Sequence, residues 1–237
     1  SAYQRSLEHL ATCQAPRGSF GGEVVWNTML ISQYVIMQFL VGRAIDPQRC
    51  AHLLTAYRRQ QNRDGGFLMH GQSGSYLFHT TLAYTSLRLL GIPATDPLTR
   101  RARRFILGHG GVAKIPAWGR IWMALLGLHP WEAIHAIVPE LWLLPKSSPA
   151  HPRRLYCHMR LIYLGLSYLR ATKLTAPKTA VVEDIREELF PGGYDPRAFN
   201  PDEVAPSDLY EDPGLLLRGA SRLLGLADRI SPKRLRK

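Results

Sequence analysis

"QNRDGGF", from Gln61 to Phe67, repeats the skeleton of "QAPRGSF", from Gln14 to Phe20: glutamine, three residues, glycine, one residue, aromatic. The second copy begins 47 residues after the first (61 − 14). Each copy follows an amphipathic segment. Leu7, Leu10 and Ala11 share one helical face before Gln14, and Leu53, Leu54 and Tyr57 share one before Gln61. Each copy precedes a more apolar stretch, Trp26 to Val41 and Tyr76 to Leu90. A third, eroded copy falls at "FILGHGG", Phe105 to Gly111, with His109 standing 48 residues after Gln61 (109 − 61) and an apolar helix expected over Trp118 to Leu128. Self-similarity at such a spacing is the mark of a repeat architecture.

The unit predicts an all-α fold. An amphipathic helix keeps one side in solvent, whereas a helix apolar all round has to be enclosed by others. Alternating the two kinds builds a double ring, amphipathic helices outside and buried ones inside: an α/α toroid, expected as a single domain over 1–237 with a basic tail at 228–237. Gly18 and Gly65 are expected at positive φ where the helix ends. The Gln14 and Gln61 amides are expected to bond backbone groups at a neighbouring helix end, with Phe20 and Phe67 packed on them. Sustained period-2 alternation and an Asn-Gly hairpin are both missing from the sequence, so little sheet is expected.

Composition narrows the class. The 46% hydrophobic and 20% charged residues are those of an ordinary globular protein. Three widely spaced cysteines, Cys13, Cys50 and Cys157, suit a reducing, intracellular compartment better than a disulfide framework. The net charge of +12 attracts anions. It clusters at Arg100, Arg101, Arg103 and Arg104 and in the tail "SPKRLRK". Without zinc-finger spacing or an RNP aromatic pattern, no nucleic-acid partner is expected, and a peripheral membrane surface is the better match. The longest apolar run, "MLISQYVIMQFLV" (Met29 to Val41), is broken by Ser32, Gln33 and Gln38 and falls short of the ~18–20 residues a span requires. The chain starts at Ser1 and is already helical in pattern by Tyr3, so it reads as a piece of a longer protein.

Beyond Ile115 the character changes. Ile115 to Pro145 holds four of the five tryptophans, Trp118, Trp122, Trp131 and Trp142, and is broken by Pro130, Pro139 and Pro145. Lys146 to Pro152 reads as loop, Arg153 to Ala171 as a long helix, Leu189 to Gly214 as loop, and Leu215 to Leu226 as a last helix. The chemistry-bearing residues form no catalytic set. Cys157 and His158 are neighbours that point ~100° apart on a helix, so they do not share a metal easily, and the recurring zinc spacings are missing. Glu23, Asp64, Glu132 and Glu140 are the candidate carboxylates for glycosidase-type chemistry, but none pairs convincingly with another. Nucleophile elbows and phosphate-binding loops are absent from the sequence. What remains is aromatic density from Trp118 to Tyr168. Such rings are ordinarily core, yet as a cavity lining they attract cations.

The repeated Gln-x3-Gly-x-aromatic turn resembles the QW motif of squalene and oxidosqualene cyclases. "GEVVWNTMLISQYVI", "QNRDGGF", "GGVAKIPAWGRIW", "PELWLLP", "AHPRRLYCHMRLIYLGLSYL" and "VAPSDLY" are similar, in order, to the N-terminal half of those enzymes, the second half of the list being closer to the lanosterol type than to hopene cyclases. The resemblance implies a monotopic membrane protein of two α/α barrels. In such proteins an Asp of the C-terminal half, in an Asp-Cys-Thr-Ala-Glu or Asp-x-Asp-Asp motif, protonates squalene or 2,3-oxidosqualene. A cation cascade follows in an aromatic cavity, with no metal or organic cofactor. Neither acid motif occurs in this sequence. The chain therefore resembles the domain that shapes the cavity, partnered by the C-terminal catalytic domain. The resemblance carries cavity roles to Trp118 of "PAWGRIW" and to His158. Tyr156 stands where the family has Trp, and Met159 where lanosterol-type enzymes have Cys. Two other readings stay open: a stand-alone isoprenoid- or partner-binding toroid without catalysis, and a protein prenyltransferase β-like subunit, which would require an Asp, Cys and His zinc set.

Overall fold

The computed structural model describes residues 1–21, 27–70, 73–208 and 214–230. In chain order these form α1 (Ala2–Cys13), α2 (Thr28–Leu40), α3 (Pro47–Gln60), β1 (Phe67–Leu68), β2 (Ser75–Tyr76), α4 (Leu77–Leu89), α5 (Pro97–Gly108), α6 (Ala117–Leu125), α7 (Cys157–Thr172), α8 (Ala180–Leu189) and α9 (Leu215–Ile230). Phe67 and Leu68 pair antiparallel with Tyr76 and Ser75, which is all the sheet among the described residues. The fold is all-α. Helix starts follow local chemistry. The Asp46 carboxylate accepts from the Arg49 amide and Asp96 from that of Leu98, each followed by proline in the first turn, where a missing N–H costs nothing.

The core is built round α4. Its residues Leu77 to Arg88 are all buried, and it packs on α2, α5, α6 and α8. The Thr80 hydroxyl is satisfied locally, donating to Tyr76 O at 2.6 Å, and that of Ser86 donates across to Ser32 O on α2 at 3.1 Å. Arg88, buried at its far end, donates to both oxygens of Glu188 on α8, Nη2 at 2.8 Å, and the Tyr84 hydroxyl reaches the same carboxylate at 2.5 Å. A cation taken out of water needs such a partner, so this trio binds α8 to α4. The α8 helix, "AVVEDIREEL", is not among the expected elements, because its buried positions Val182, Ile185 and Leu189 become a stripe only when set against the core.

The two repeat turns are closely alike. Gln14 and Gln61 themselves cap α1 and α3, and Gly18 (φ +84°) and Gly65 (φ +91°) lie four residues further on, not at the helix end as expected. Each glutamine Nε2 donates to the carbonyl of its glycine at 2.9 Å. Gln61 also reaches the neighbouring helix: Nε2 donates to Leu98 O at 2.9 Å and Oε1 accepts from Arg101 at 2.5 Å. Phe67 is fully buried edge-on to Tyr57, whereas Phe20 is exposed. The third copy keeps only the position. Just past the end of α5, Gly110 and Gly111 take positive φ, Gly111 N bonds Ile106 O, and the His109 ring stacks on Phe105 at 3.9 Å. Without a glutamine amide, the ring folds back on its own helix.

Other expectations shift. Trp26 and Glu23 lie outside the described residues. From Thr28 onward α2 is enclosed on one side only: Thr28, Ser32, Val35 and Ile36 are buried, while Leu30, Met37 and Val41 are exposed. Its neighbours are α3, α4 and α6. Helix α1 buries no residue. The helix begun at Arg153 opens at Cys157 instead, since Pro152 first sets a 3-10 turn, and α6 stops at Leu125. The last helix runs on to Ile230, and the tail from 231 lies outside the described residues.

Candidate functional site

Trp118 is the second residue of α6. It is half-buried, edge-on to Trp122 at 6.4 Å, and packs against both apolar clusters of the interior. Tyr156 directly precedes α7, and its ring stacks on that of His158 at 5.0 Å and 20°. The Cys157 sulfur lies 3.2 Å from His158 Nδ1. These residues and Met159 are exposed, Tyr156 by 68% and Met159 by 51%. Further along α7, Leu161, Leu164 and Tyr168 are exposed too, while Leu166 and Leu169 hold the helix to the cluster of Ile121, Ala124, Leu125, Trp131 and Ile134. No ring contact among the described residues joins Trp118 to Tyr156 or His158. The structure thus gathers Tyr156, His158 and Met159 at one open end of α7 and leaves Trp118 apart.

Neither of two hollows among the described residues collects these four side chains. The larger, about 1150 Å³, lies between the end of α7, α9 and the chain at 132–136, and is lined by Glu132, Tyr168, Arg170, Lys173, Arg222 and Asp228 among others. Its walls are charged. Lys173 pairs with Glu132, holding that carboxyl below the usual range, and Arg170 lies 3.4 Å from Asp228. Desolvating such groups against a hydrocarbon is unfavourable. The smaller hollow, about 250 Å³ between α2 and the end of α4, falls below the usual size of ligand sites.

Of the candidate carboxylates, Asp64 shapes the Gln61 turn, accepting from Gly66 N at 2.9 Å and Ser75 Oγ at 2.7 Å, and Glu132 sits in its ion pair. Among the described residues no three histidine, cysteine or acidic side chains stand close enough to share a metal ion. No described helix is long and apolar enough to cross a membrane.

Sequence reasoning passed over two buried charges. Asp208 is 4% exposed; its two oxygens accept from the amides of Leu77 (2.7 Å) and Phe78 (2.6 Å) and so cap α4, whose own N-cap residue, Tyr76, provides no side-chain cap. Burial pushes the Asp208 carboxyl above its ordinary value, against the pull of those amides and the Ser207 hydroxyl. Arg120 is 1% exposed and has no carboxylate in hydrogen-bond reach among the described residues. It donates to Ile115 O and Pro201 O at 2.7 Å each and to Glu203 O, and burial lowers its pKa. The pair fastens the chain from Pro201 to Asp208 across α4 and α6. Asp208 stands in "VAPSDLY" and Arg120 in "PAWGRIW", both in stretches already singled out, but nothing local shows that their partners lie some 80 to 130 residues away.

Residues 3–237 match the model of the squalene-hopene cyclase N-terminal domain. The chain belongs to that family. It is 32% identical to a cycloartenol synthase from Dictyostelium discoideum, over 99% of this chain and 34% of that protein. With a lanosterol synthase from Mus musculus the identity is 34% over 96% of this chain and 31% of that protein. A human lanosterol synthase is 39% identical over 71% of this chain and 23% of its own length. The chain thus spans about a third or less of the relatives it matches.

Proposed function

We propose that this domain shapes the substrate cavity of a triterpene cyclase, an isomerase that folds squalene or 2,3-oxidosqualene and closes its rings through a carbocation cascade. Trp118, Tyr156, His158 and Met159 line that cavity, and the acid that starts the cascade comes from a C-terminal catalytic domain. The helices complete an α/α toroid, and the assembly works as a peripheral protein at a membrane, the source of so apolar a substrate.

The observation that carries this reading is the open face of α7 in a chain with the family's N-terminal pattern. A stacked tyrosine and histidine, a methionine, and Leu161, Ile162, Leu164 and Tyr168 are left in solvent. Contiguous exposure of that kind marks a surface that works covered. Aromatic faces turned toward a desolvated carbocation stabilise it by roughly 2 kcal/mol or more each. They need no cofactor to do so, only enclosure.

The test is direct. Incubating the purified 237-residue chain with squalene and with 2,3-oxidosqualene yields no cyclic product by mass spectrometry. The whole enzyme carrying Trp118→Ala or His158→Ala gives an altered product set. Cyclic product from the chain alone, or an unchanged product set in both variants, overturns the reading.

A further inference from the structure

Two residues beyond Trp118 on α6 stands the buried Arg120. Helix α6 starts without a side-chain cap of its own, since its N-cap residue is Pro116. Arg120 fixes that start from inside the helix. Its backbone N–H bonds Pro116 O at 3.1 Å, and its Nε folds back to donate to Ile115 O at 2.7 Å. The two terminal nitrogens of the fork leave the helix and bind Pro201 O and Glu203 O. The 201–208 segment holds α6 in return: Ala205 N bonds Lys114 O at 2.8 Å, and the Lys114 ammonium lies 3.7 Å from the Glu203 carboxylate. The same segment ends in Asp208, whose carboxylate accepts from the amides of Leu77 and Phe78. The Phe78 ring lies against Gly119, where a Cβ would stand 2.6 Å from it. Trp118 is thus carried on backbone tied both to α4 and to the 201–208 segment.

We infer that Arg120 is a positioning residue for Trp118: by locking the first turn of α6 to the 201–208 segment, it sets the angle at which the indole meets the substrate, and with it the product. The inference rests on the cavity reading above. A buried cation bonded only to neutral carbonyls is an unfavourable way to fill a core. Its planar fork, however, fixes three acceptors in one geometry, which neither an apolar side chain nor a lysine ammonium does. A group that meets substrate acts well only where its neighbours lock its placement. Trp118 is half-buried and edge-on to Trp122, a residue of the same helix, so its indole follows α6 wherever α6 is set.

Product ratios in the whole enzyme test this, because a loss of folded protein lowers every product together and leaves their ratio alone. A displacement of about 1 Å at a reacting centre costs about 100-fold in rate, so Arg120→Met is expected to raise the ratio of by-products to main product by about tenfold, toward the set given by Trp118→Ala. In the Trp118→Ala background the same change adds less than about twofold, since both act through one indole. The control is Arg88→Met, which removes a guanidinium bonded to Glu188 and Ile92 O and to nothing on α6. It lowers the yield and keeps the ratio. An unchanged ratio in Arg120→Met, an equal shift in Arg88→Met, or full additivity with Trp118→Ala overturns the inference. Should Arg120→Met fail to accumulate, Arg120→Lys decides, because it keeps the charge and loses the fork: a shift of about threefold supports the inference and an unchanged ratio overturns it. A shift in Trp118→Ala with none at Arg120 sinks this inference alone, whereas no shift in Trp118→Ala sinks the cavity role of Trp118 with it.

Discussion

Gly18 and Gly65 occupy the same place in two copies of one turn, yet they are constrained differently. Both need the left-handed region, which costs a side chain about 1 kcal/mol. At Gly18 a Cβ meets only the Gln14 amide at 3.8 Å, but at Gly65 it meets the Arg101 backbone at 2.6 Å. Gly18→Ala should therefore lower stability by about 1 kcal/mol and Gly65→Ala by about 3 kcal/mol or more, read from denaturant unfolding. Asp208 bears on the same scale. Asp208→Ala strands two buried amides at the start of α4, a loss of about 2–4 kcal/mol. An effect under about 1 kcal/mol would show that water replaces the carboxylate.

Among the elements, α4 and α7 are opposites. Helix α4 is enclosed on every side and carries His79, 2% exposed, its Nδ1 without a hydrogen-bond partner among the described residues. Burial lowers the pKa of His79, and that of His129, to about 4. The unfolded chain takes up these protons near pH 6.5, so stability is intact above that value and falls as pH drops toward 4. At about 3 kcal/mol per histidine, His79→Leu should flatten a large part of the slope between pH 6.5 and 4 in thermal or urea unfolding. An unchanged slope would place His79's proton-binding site in contact with water. Helix α7, by contrast, is held to the interior mainly by Leu166 and Leu169, and its apolar pattern alone does not distinguish it from a core helix.

At the scale of the molecule, the repeat turns made the helical class legible. Gln61, Gly65 and Phe67 signal helix-turn-helix units because few other residue types satisfy a helix end, a positive φ and a buried plug within seven positions. The same signal did not show that the Gln14 copy stands outside the core, with α1 burying nothing. Nor did it show that α2 is covered on one side only. Periodicity records which side chains avoid water, not which neighbour removes them from it.

By itself, the sequence determined the helical class, the places of most helices and the cyclase family, because those follow from local chemistry and from ordered motifs. Only the tertiary structure decided that Asp208 caps α4, that Arg120 holds Pro201 and Glu203, that Glu188 answers Arg88, and that the α7 aromatics stand open instead of lining a closed hollow. Each of those is a pairing across some 80 to 130 residues or an exposure. Such pairings are set by where packing brings the chain back on itself, which no local window of residues contains.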